Sequence, residues 1–245
     1  MKCLFLAAGY ATRLYPLTEN FPKPLLKVRE KPILDWLIDD LESQPGLVDE
    51  YVVVTNDKFA AHFEDWTKSR GERIVVVNDG AKTNETRLGA VKDAQLAIEK
   101  AQIDDDLLVL AGDNLLDFSL RRFVAYAQEK RSTCVMRYYE PELGKLRKRG
   151  VAEIDDAERI VSMIEKPAEP KSHWCVPPFY YYARKDLKLI KRGIESGCGV
   201  DAPGSLVAWL CEQTNVYAFE MPGKRYDIGD LASYETVQKE YQGVR

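Results

Sequence analysis

The chain lacks a surplus of positive charge, a CxxC pair, a long hydrophobic run and an internal repeat. Its 35 lysines and arginines stand against 39 aspartates and glutamates, a net charge of −4. A broad nucleic-acid footprint wants a basic face, so no nucleic-acid partner is expected, and any anionic ligand must be held by local cations. The five cysteines (Cys3, Cys134, Cys175, Cys198, Cys211) are odd in number and form no close pair. That argues against a disulfide framework and for a reducing, cytoplasmic setting. The apolar run from Cys3 to Ala8 is too short for a signal-peptide core, and no stretch approaches membrane-spanning length. No membrane partner is expected.

What is present is an ordinary globular composition, 45% hydrophobic and 30% charged over 245 residues. Strand-like runs rich in Val, Leu and Ile occur at 3–6, 51–55, 73–77, 106–110 and 133–138. Helical spacing falls between them. Leu34, Leu37, Ile38 and Leu41 mark one buried face; so do Phe59, Phe63 and Trp66 after the candidate caps Asn56 and Asp57. Leu88, Val91, Ala94 and Ile98 repeat the pattern, as do Leu120, Phe123, Val124 and Ala127 behind a candidate cap, Asp117. This alternation predicts an α/β fold, a Rossmann-like, mostly parallel sheet with helices on both faces. The second half reads as β-rich: a hairpin of 151–154 and 160–164 around residues 155–158, then 179–183 and 216–220, and a last helix over about 231–241. A single domain over 1–245 is expected, with a nucleotide-binding half (1–130) and an acceptor-binding half (131–245).

Ligands on such sheets sit beyond the carboxyl ends of the strands. There the chain places LAAGYATRLYPLTENFPKPLL, residues 6–26. Small residues Ala7, Ala8 and Gly9 free backbone amides, and Arg13 and Lys23 supply cations, which together suit a polyphosphate. Spacing from Gly9 excludes the common rivals. GxGxxG would need glycines at 11 and 14, where Ala11 and Leu14 stand; GxxxxGK would need Gly-Lys at 14 and 15, where Leu14 and Tyr15 stand. Two carboxylates draw attention further on. Asp113 follows the apolar run 107–110 and Gly112, where a turn former or helix cap is the plain reading. Asp227 lies in YDIGD before the last helix, with Asp230 a natural N-cap. A third group is Arg149-Gly150-Val151 followed by Glu165-Lys166-Pro167, which alone reads as a surface turn.

The loop at 6–26, the GD step at 112–113, the EKP at 165–167 and the DIG at 227–229 come in the order found in sugar-1-phosphate nucleotidyltransferases, which the chain resembles nearly end to end. The family loop is usually LAAGxGTRLxPLT with PKPLL; here Ala11 replaces its second glycine. If that position is left-handed, the methyl costs about 1 kcal/mol. The resemblance implies the nucleotide-diphospho-sugar transferase type of fold and nucleotide binding by Ala7, Ala8, Gly9, Tyr10, Ala11, Thr12 and Arg13. It also implies catalytic cations Arg13, Lys23 and Lys166, and a Mg²⁺ ion held by Asp113 and Asp227. The sugar 1-phosphate would meet Gly150, Glu165 and Lys166. In residues 83–90, Asn84 could read a base edge and Gly89 could permit close approach; a helix-leading loop is an equal reading of both. Arg149 stands where the family commonly has an aromatic residue, and Pro177-Pro178 where it has a small residue and glycine.

The expected reaction joins an NTP, dTTP or UTP favoured, to a sugar 1-phosphate, giving an NDP-sugar and pyrophosphate. A cytidylyltransferase for a non-sugar acceptor such as phosphocholine keeps the same chemistry. A non-catalytic nucleotide or NDP-sugar binding module is the alternative of another class. No acyltransferase-like hexapeptide repeats follow, so a stand-alone enzyme is expected. Oligomeric state is not readable, although enzymes of this family are often homo-oligomers.

Overall fold

The computed structural model describes residues 1–71 and 73–244; Glu72 and Arg245, the end of the expected 1–245 domain, lie outside the described residues. In chain order the elements are β1 (Lys2–Leu6), β2 (Lys27–Val28), β3 (Lys31–Pro32), α1 (Ile33–Glu42), β4 (Glu50–Thr55), α2 (Ala60–Thr67) and β5 (Ile74–Asn78). Then come α3 (Ala90–Lys100), β6 (Leu107–Ala111), β7 (Asn114–Leu116), α4 (Arg121–Lys130), β8 (Thr133–Tyr139) and α5 (Leu143–Leu146). The remainder is β9 (Gly150–Ile154), β10 (Ile160–Glu165), β11 (Trp174–Val176), β12 (Phe179–Tyr182), α6 (Leu187–Glu195), α7 (Pro203–Leu210), β13 (Val216–Glu220), β14 (Arg225–Asp227) and α8 (Leu231–Glu240).

One ten-stranded sheet runs in the order β10-β9-β11-β8-β12-β6-β1-β4-β5, with β13 paired to β8. The strands β6, β1, β4 and β5 are mutually parallel, with Leu4 in register between Val52 and Val109. Of these, β1, β4 and β6 are buried on both faces and are nearly continuous apolar runs rather than alternating ones, as buried parallel strands require. The second half supplies antiparallel pairings: β12 with β6 and β8, β11 with β8 and β9, and β10 with β9. The parallel expectation therefore holds for the first half of the chain, and the β-rich character of the second half takes the form of an antiparallel extension of the same sheet.

β11 and β12 are successive strands along one edge of β8, interrupted at Pro177-Pro178. Before the prolines the other edge faces β9; after them it faces β6. Proline lacks the N–H that a continuous ladder needs, so the break belongs where the strand changes partner. The Pro178 carbonyl still accepts from Ala111 N–H at 3.1 Å. Two apolar layers cover the sheet. One packs α1, α2 and α4 residues such as Leu37, Phe63 and Phe123 against Phe5 and Tyr51. The other packs Val91, Ile190 and Val207, from α3, α6 and α7, against Leu4 and Val109. Tyr180, Tyr181 and Tyr182 are all buried core residues, and the five cysteines are free.

Two helix starts separate the readings made from sequence. Asp230 caps α8, its Oδ1 accepting from Ser233 N–H at 2.8 Å. Asp117 does not cap α4; its Oδ1 accepts from Lys224 N–H instead. The α4 start is held by Ser119 Oγ, accepting from Arg121 N–H, and by Asp40 of α1, accepting from Leu120 N–H at 2.7 Å. A cap supplied 80 residues away in sequence leaves no local signal. Burial raises the Asp40 carboxyl's pKa, while bonds from Ser119 and Leu120 partly counter it. Asp40→Ala is expected to cost about 1–2 kcal/mol by leaving a helix-start amide unsatisfied. An unshifted urea midpoint would show that α4 does not depend on this contact.

Candidate active site

The strand β1 hands the chain to residues 7–11, which are pinned from outside. Ala7 N–H donates to Val54 O at 2.9 Å, Asn56 Nδ2 to Ala8 O at 2.9 Å, and Tyr10 hydroxyl to Ala81 O at 3.0 Å. Ala11 has φ 48° and ψ 41°, the left-handed conformation that its methyl makes costly. Buried Thr18 offsets part of that cost by donating its hydroxyl to Ala11 O at 2.8 Å. The bend leads into a 3-10 turn, Thr12–Leu14, which leaves Thr12 and Arg13 exposed. A second 3-10 turn, Lys23–Leu25, is started by Pro24 in the first turn and carries Lys23 inward, 8% exposed.

Lys23 Nζ meets Asp113 Oδ2 at 2.7 Å. From there a run of polar contacts crosses the site. Asn114 Nδ2 donates to Asp113 Oδ1 at 2.5 Å, and Arg225 NH1 donates to Asn114 Oδ1 at 2.5 Å. Arg225 NH1 also lies 3.2 Å from Asp227 Oδ2, which Arg149 NH1 approaches to 2.8 Å. The two aspartates are neighbours because β7 and β14 form a two-stranded ribbon that pairs Asn114 with Asp227, with Ile228 N–H donating to Asp113 O at 3.2 Å. Burial pushes the Asp227 pKa up, but Arg225, Arg149 and Lys23 outweigh it and hold the carboxyl below the usual range.

Two cavities share this junction. The larger, about 390 Å³, is lined by Ala8, Gly9, Gly89, Arg149, Pro178 and Asp201 together with Asp113, Arg225 and Asp227. The smaller, about 190 Å³, lies among Gly9, Ala11, Arg13, Lys23, Asp113 and Gly229. Asp113 lines both. Among the described residues no cluster of three or more Asp, Glu, His or Cys side chains could hold a metal. Two adjacent carboxylates that are each matched by a cation of the chain suit an ion that keeps water and phosphate oxygens as its remaining ligands, as Mg²⁺ does.

On the far wall, Glu165 pairs with Gly150 across the β9–β10 hairpin. A Cβ at Gly150 would lie 2.9 Å from Glu165 Oε2, and one at Gly204, in the first turn of α7, 2.2 Å from it. The carboxylate is thus seated between two backbones that only glycine brings so close. Burial raises its pKa, with Lys166 and Arg149 acting in the opposite direction. Lys166 is exposed, in left-handed conformation (φ 52°), and its N–H donates to Arg149 O at 3.0 Å.

Of the residues singled out from sequence, Ala7, Gly9, Ala11, Arg13, Lys23 and Asp113 meet at the smaller cavity, and Ala8, Gly9, Gly89, Asp113 and Asp227 at the larger. Tyr10, Thr12, Asn84, Gly150, Glu165 and Lys166 line neither. Tyr10 is a buried strut, and Asn84 sits in an exposed 3-10 turn whose carbonyl takes a bond from Arg87. Gly89 does permit close approach, but of the chain's own Val200, whose carbonyl oxygen would lie 2.6 Å from a Cβ. Sequence reasoning missed Arg225, Asp93 and the Arg87–Asp201 pair (3.0 Å). Arg225 had a usable signal: it precedes Asp227 by two residues in a strand, so both share a face.

Asp93 lines the larger cavity and is 6% exposed, with Asp79 as its carboxylate neighbour. Burial first, then the charge and shared proton of Asp79, push it up to about 7. The folded state therefore holds a proton that the unfolded chain releases near pH 4, so this contribution is full below that pH and is lost as pH rises through about 7. Urea unfolding from pH 4 to 8 is expected to show wild type losing roughly 2–4 kcal/mol relative to Asp93→Asn. A pH-independent difference between the two proteins would contradict the assignment.

A family model described as nucleotidyl transferase matches residues 2–243. The UTP–glucose-1-phosphate uridylyltransferase AglF of Haloferax volcanii is 31% identical over 185 residues, 74% of this chain and 72% of its own length. The bifunctional protein GlmU of Methanocaldococcus jannaschii is 28% identical over 94% of this chain, which spans only 51% of that relative. A solved UDP-glucose pyrophosphorylase bound to UDP-glucose superposes with a TM-score of 0.82 at 21% identity, covering 98% of this chain and 97% of that one. A UTP-bound UGPase from Acinetobacter baumannii gives 0.77 at 19% identity, over 98% and 92%. The pinned loop, the paired aspartates and the family match over residues 2–243 agree: the chain belongs to the nucleotidyl transferase family, in the group that comprises the sugar-1-phosphate nucleotidyltransferases.

Proposed function

We propose that this protein transfers a nucleotidyl group from an NTP to a sugar 1-phosphate, releasing pyrophosphate. The observation that carries this reading is the row Lys23–Asp113–Asn114–Arg225–Asp227–Arg149, which stands between a phosphate-loop cavity and an acceptor-side wall. UTP or dTTP is the favoured donor, the first because a 31% identical relative is named for UTP and glucose 1-phosphate.

Amides of residues 8–11 receive the donor's phosphates, with Arg13 and Lys23 stabilising charge on the departing pyrophosphate. An oxygen of the acceptor phosphate attacks the α-phosphorus in line; the new P–O bond forms as the bond to the β-phosphate oxygen breaks. No general base is required, because a phosphate monoester is largely dianionic near neutral pH. Lys166 holds the acceptor phosphate, and Glu165, kept in place by Gly150 and Gly204, accepts from sugar hydroxyls. Asp113 and Asp227 would hold Mg²⁺, which supplies charge neutralisation on the phosphate oxygens. The two guanidiniums beside Asp227 weigh against a phosphocholine acceptor, whose quaternary ammonium they would repel. Two carboxylates and several cations together exceed what a silent nucleotide-binding module needs.

Pyrophosphate release should be measured with Mg²⁺ and each of dTTP, UTP, CTP, GTP and ATP against sugar 1-phosphates, phosphocholine and 2-aminoethylphosphonate. Turnover with a sugar 1-phosphate is expected. Turnover confined to a non-sugar acceptor, or nucleotide binding without any turnover, would overturn the reading. Asp113→Asn is expected to lower Mg²⁺-dependent turnover by about a thousandfold or more with the fold intact. Retained activity would remove Asp113 from the metal site.

A further inference from the structure

The two arginines on Asp227 are held very differently. Arg225 is fixed: its side chain is 8% exposed, its NH1 bonds Asn114 Oδ1 at 2.5 Å, and its guanidinium lies 5.6 Å from the centre of the Tyr138 ring. Arg149 is 40% exposed, and its side chain makes one hydrogen bond among the described residues, to Asp227 at 2.8 Å. A guanidinium has five N–H donors in a fork that fits phosphate oxygens, so most of Arg149's capacity is unused. Its backbone roots it on the acceptor wall, where its carbonyl accepts from Lys166 N–H and it directly precedes Gly150, the partner of Glu165. The side chain thus reaches from the acceptor wall to the metal side of the cavity that both residues line.

The charges in the row make this contact exchangeable. Asp113 and Asp227 face three cations, Lys23, Arg149 and Arg225, so the row already carries one surplus positive charge. A divalent cation on the two carboxylates would raise that surplus and repel the least anchored partner. We propose that Arg149 is a charge-swap residue, which neutralises Asp227 while the site is empty and passes to the acceptor phosphate once a divalent cation occupies Asp227. Metal and acceptor then bind with positive coupling, each favouring the Arg149 position that the other needs. The inference rests on the transfer reading above and adds a substrate-binding role for one residue.

The swap gives opposite changes from a single substitution. Mn²⁺ binding to substrate-free protein, followed by the loss of the free ion's electron paramagnetic resonance signal, is expected to tighten about threefold in Arg149→Gln, because an internal competitor is gone. Glucose 1-phosphate binding, measured by calorimetry, is expected to tighten about fivefold on saturation with Mn²⁺ in wild type and by less than about twofold in Arg149→Gln. Arg149→Lys, which keeps the charge and loses the fork, should fall between them in both assays. Weakened or unchanged Mn²⁺ affinity in Arg149→Gln overturns the swap, because a merely structural role would loosen both ligands. Glucose 1-phosphate binding that ignores Mn²⁺ in wild type also overturns it and leaves the transfer reading standing. Failure of the sugar phosphate to bind at any Mn²⁺ concentration overturns both.

Discussion

Two aspartates, 114 positions apart in the chain, occupy adjoining places in one ribbon, and the rest of the site is arranged around the cost of putting them there. Like charges brought together in a half-buried cleft repel, and burial acts to raise the Asp227 pKa. The chain answers with cations from three directions: Lys23 from the N-terminal loop, Arg225 from the ribbon itself, and Arg149 from the start of the β9–β10 hairpin. Asn114, almost wholly buried, joins the two halves by donating to one aspartate and accepting from the arginine beside the other. The N-terminal loop, the sheet edge and the C-terminal segment are thereby tied together electrostatically, not only by packing.

The sheet makes that convergence possible. Its parallel half brings the ends of β1 and β6 side by side, with Gly112 N–H donating to Leu6 O at 3.1 Å, so loop and carboxylate leave the sheet at the same edge. Its antiparallel half turns away at Pro177-Pro178 and raises the β9–β10 hairpin as the opposite wall. A sequence departure that removes an amide donor is, in the fold, the point where a strand exchanges one neighbour for another. Pro178 lines the larger cavity, so the exchange also shapes that cavity.

Much of the fold could be read from local pattern because its physics is local. The Val- and Leu-rich runs became strands within a residue or two, and Asp230 capped α8 as its place before the helix implied. Ala11 in left-handed geometry followed from its place in the loop. The misreadings had long-range causes. Asp117 was bypassed as a cap because Asp40, from another helix, reached the free amide of Leu120. Arg225 shares a strand face with Asp227, a spacing visible in the sequence, but its contacts to Asn114 and Asp227 arise only when the ribbon brings residue 114 beside it. The elevated Asp93 pKa depends on burial and on Asp79, neither visible along the chain.

The sequence by itself determined which chemical groups were available and where they stand along the chain: a small-residue loop with two cations, two separated aspartates, and a glutamate-lysine step. Periodicity also determined the sheet and its flanking helices, since strand and helix patterns arise from residues close in the chain. Tertiary structure alone decided how those groups are paired. Ion pairs and carboxylate neighbours depend on distances of a few ångströms between residues tens to more than a hundred positions apart, as Lys23 and Asp113 are. Whether a charge is free, matched or exchangeable is a property of that proximity and burial, and only the folded chain sets it.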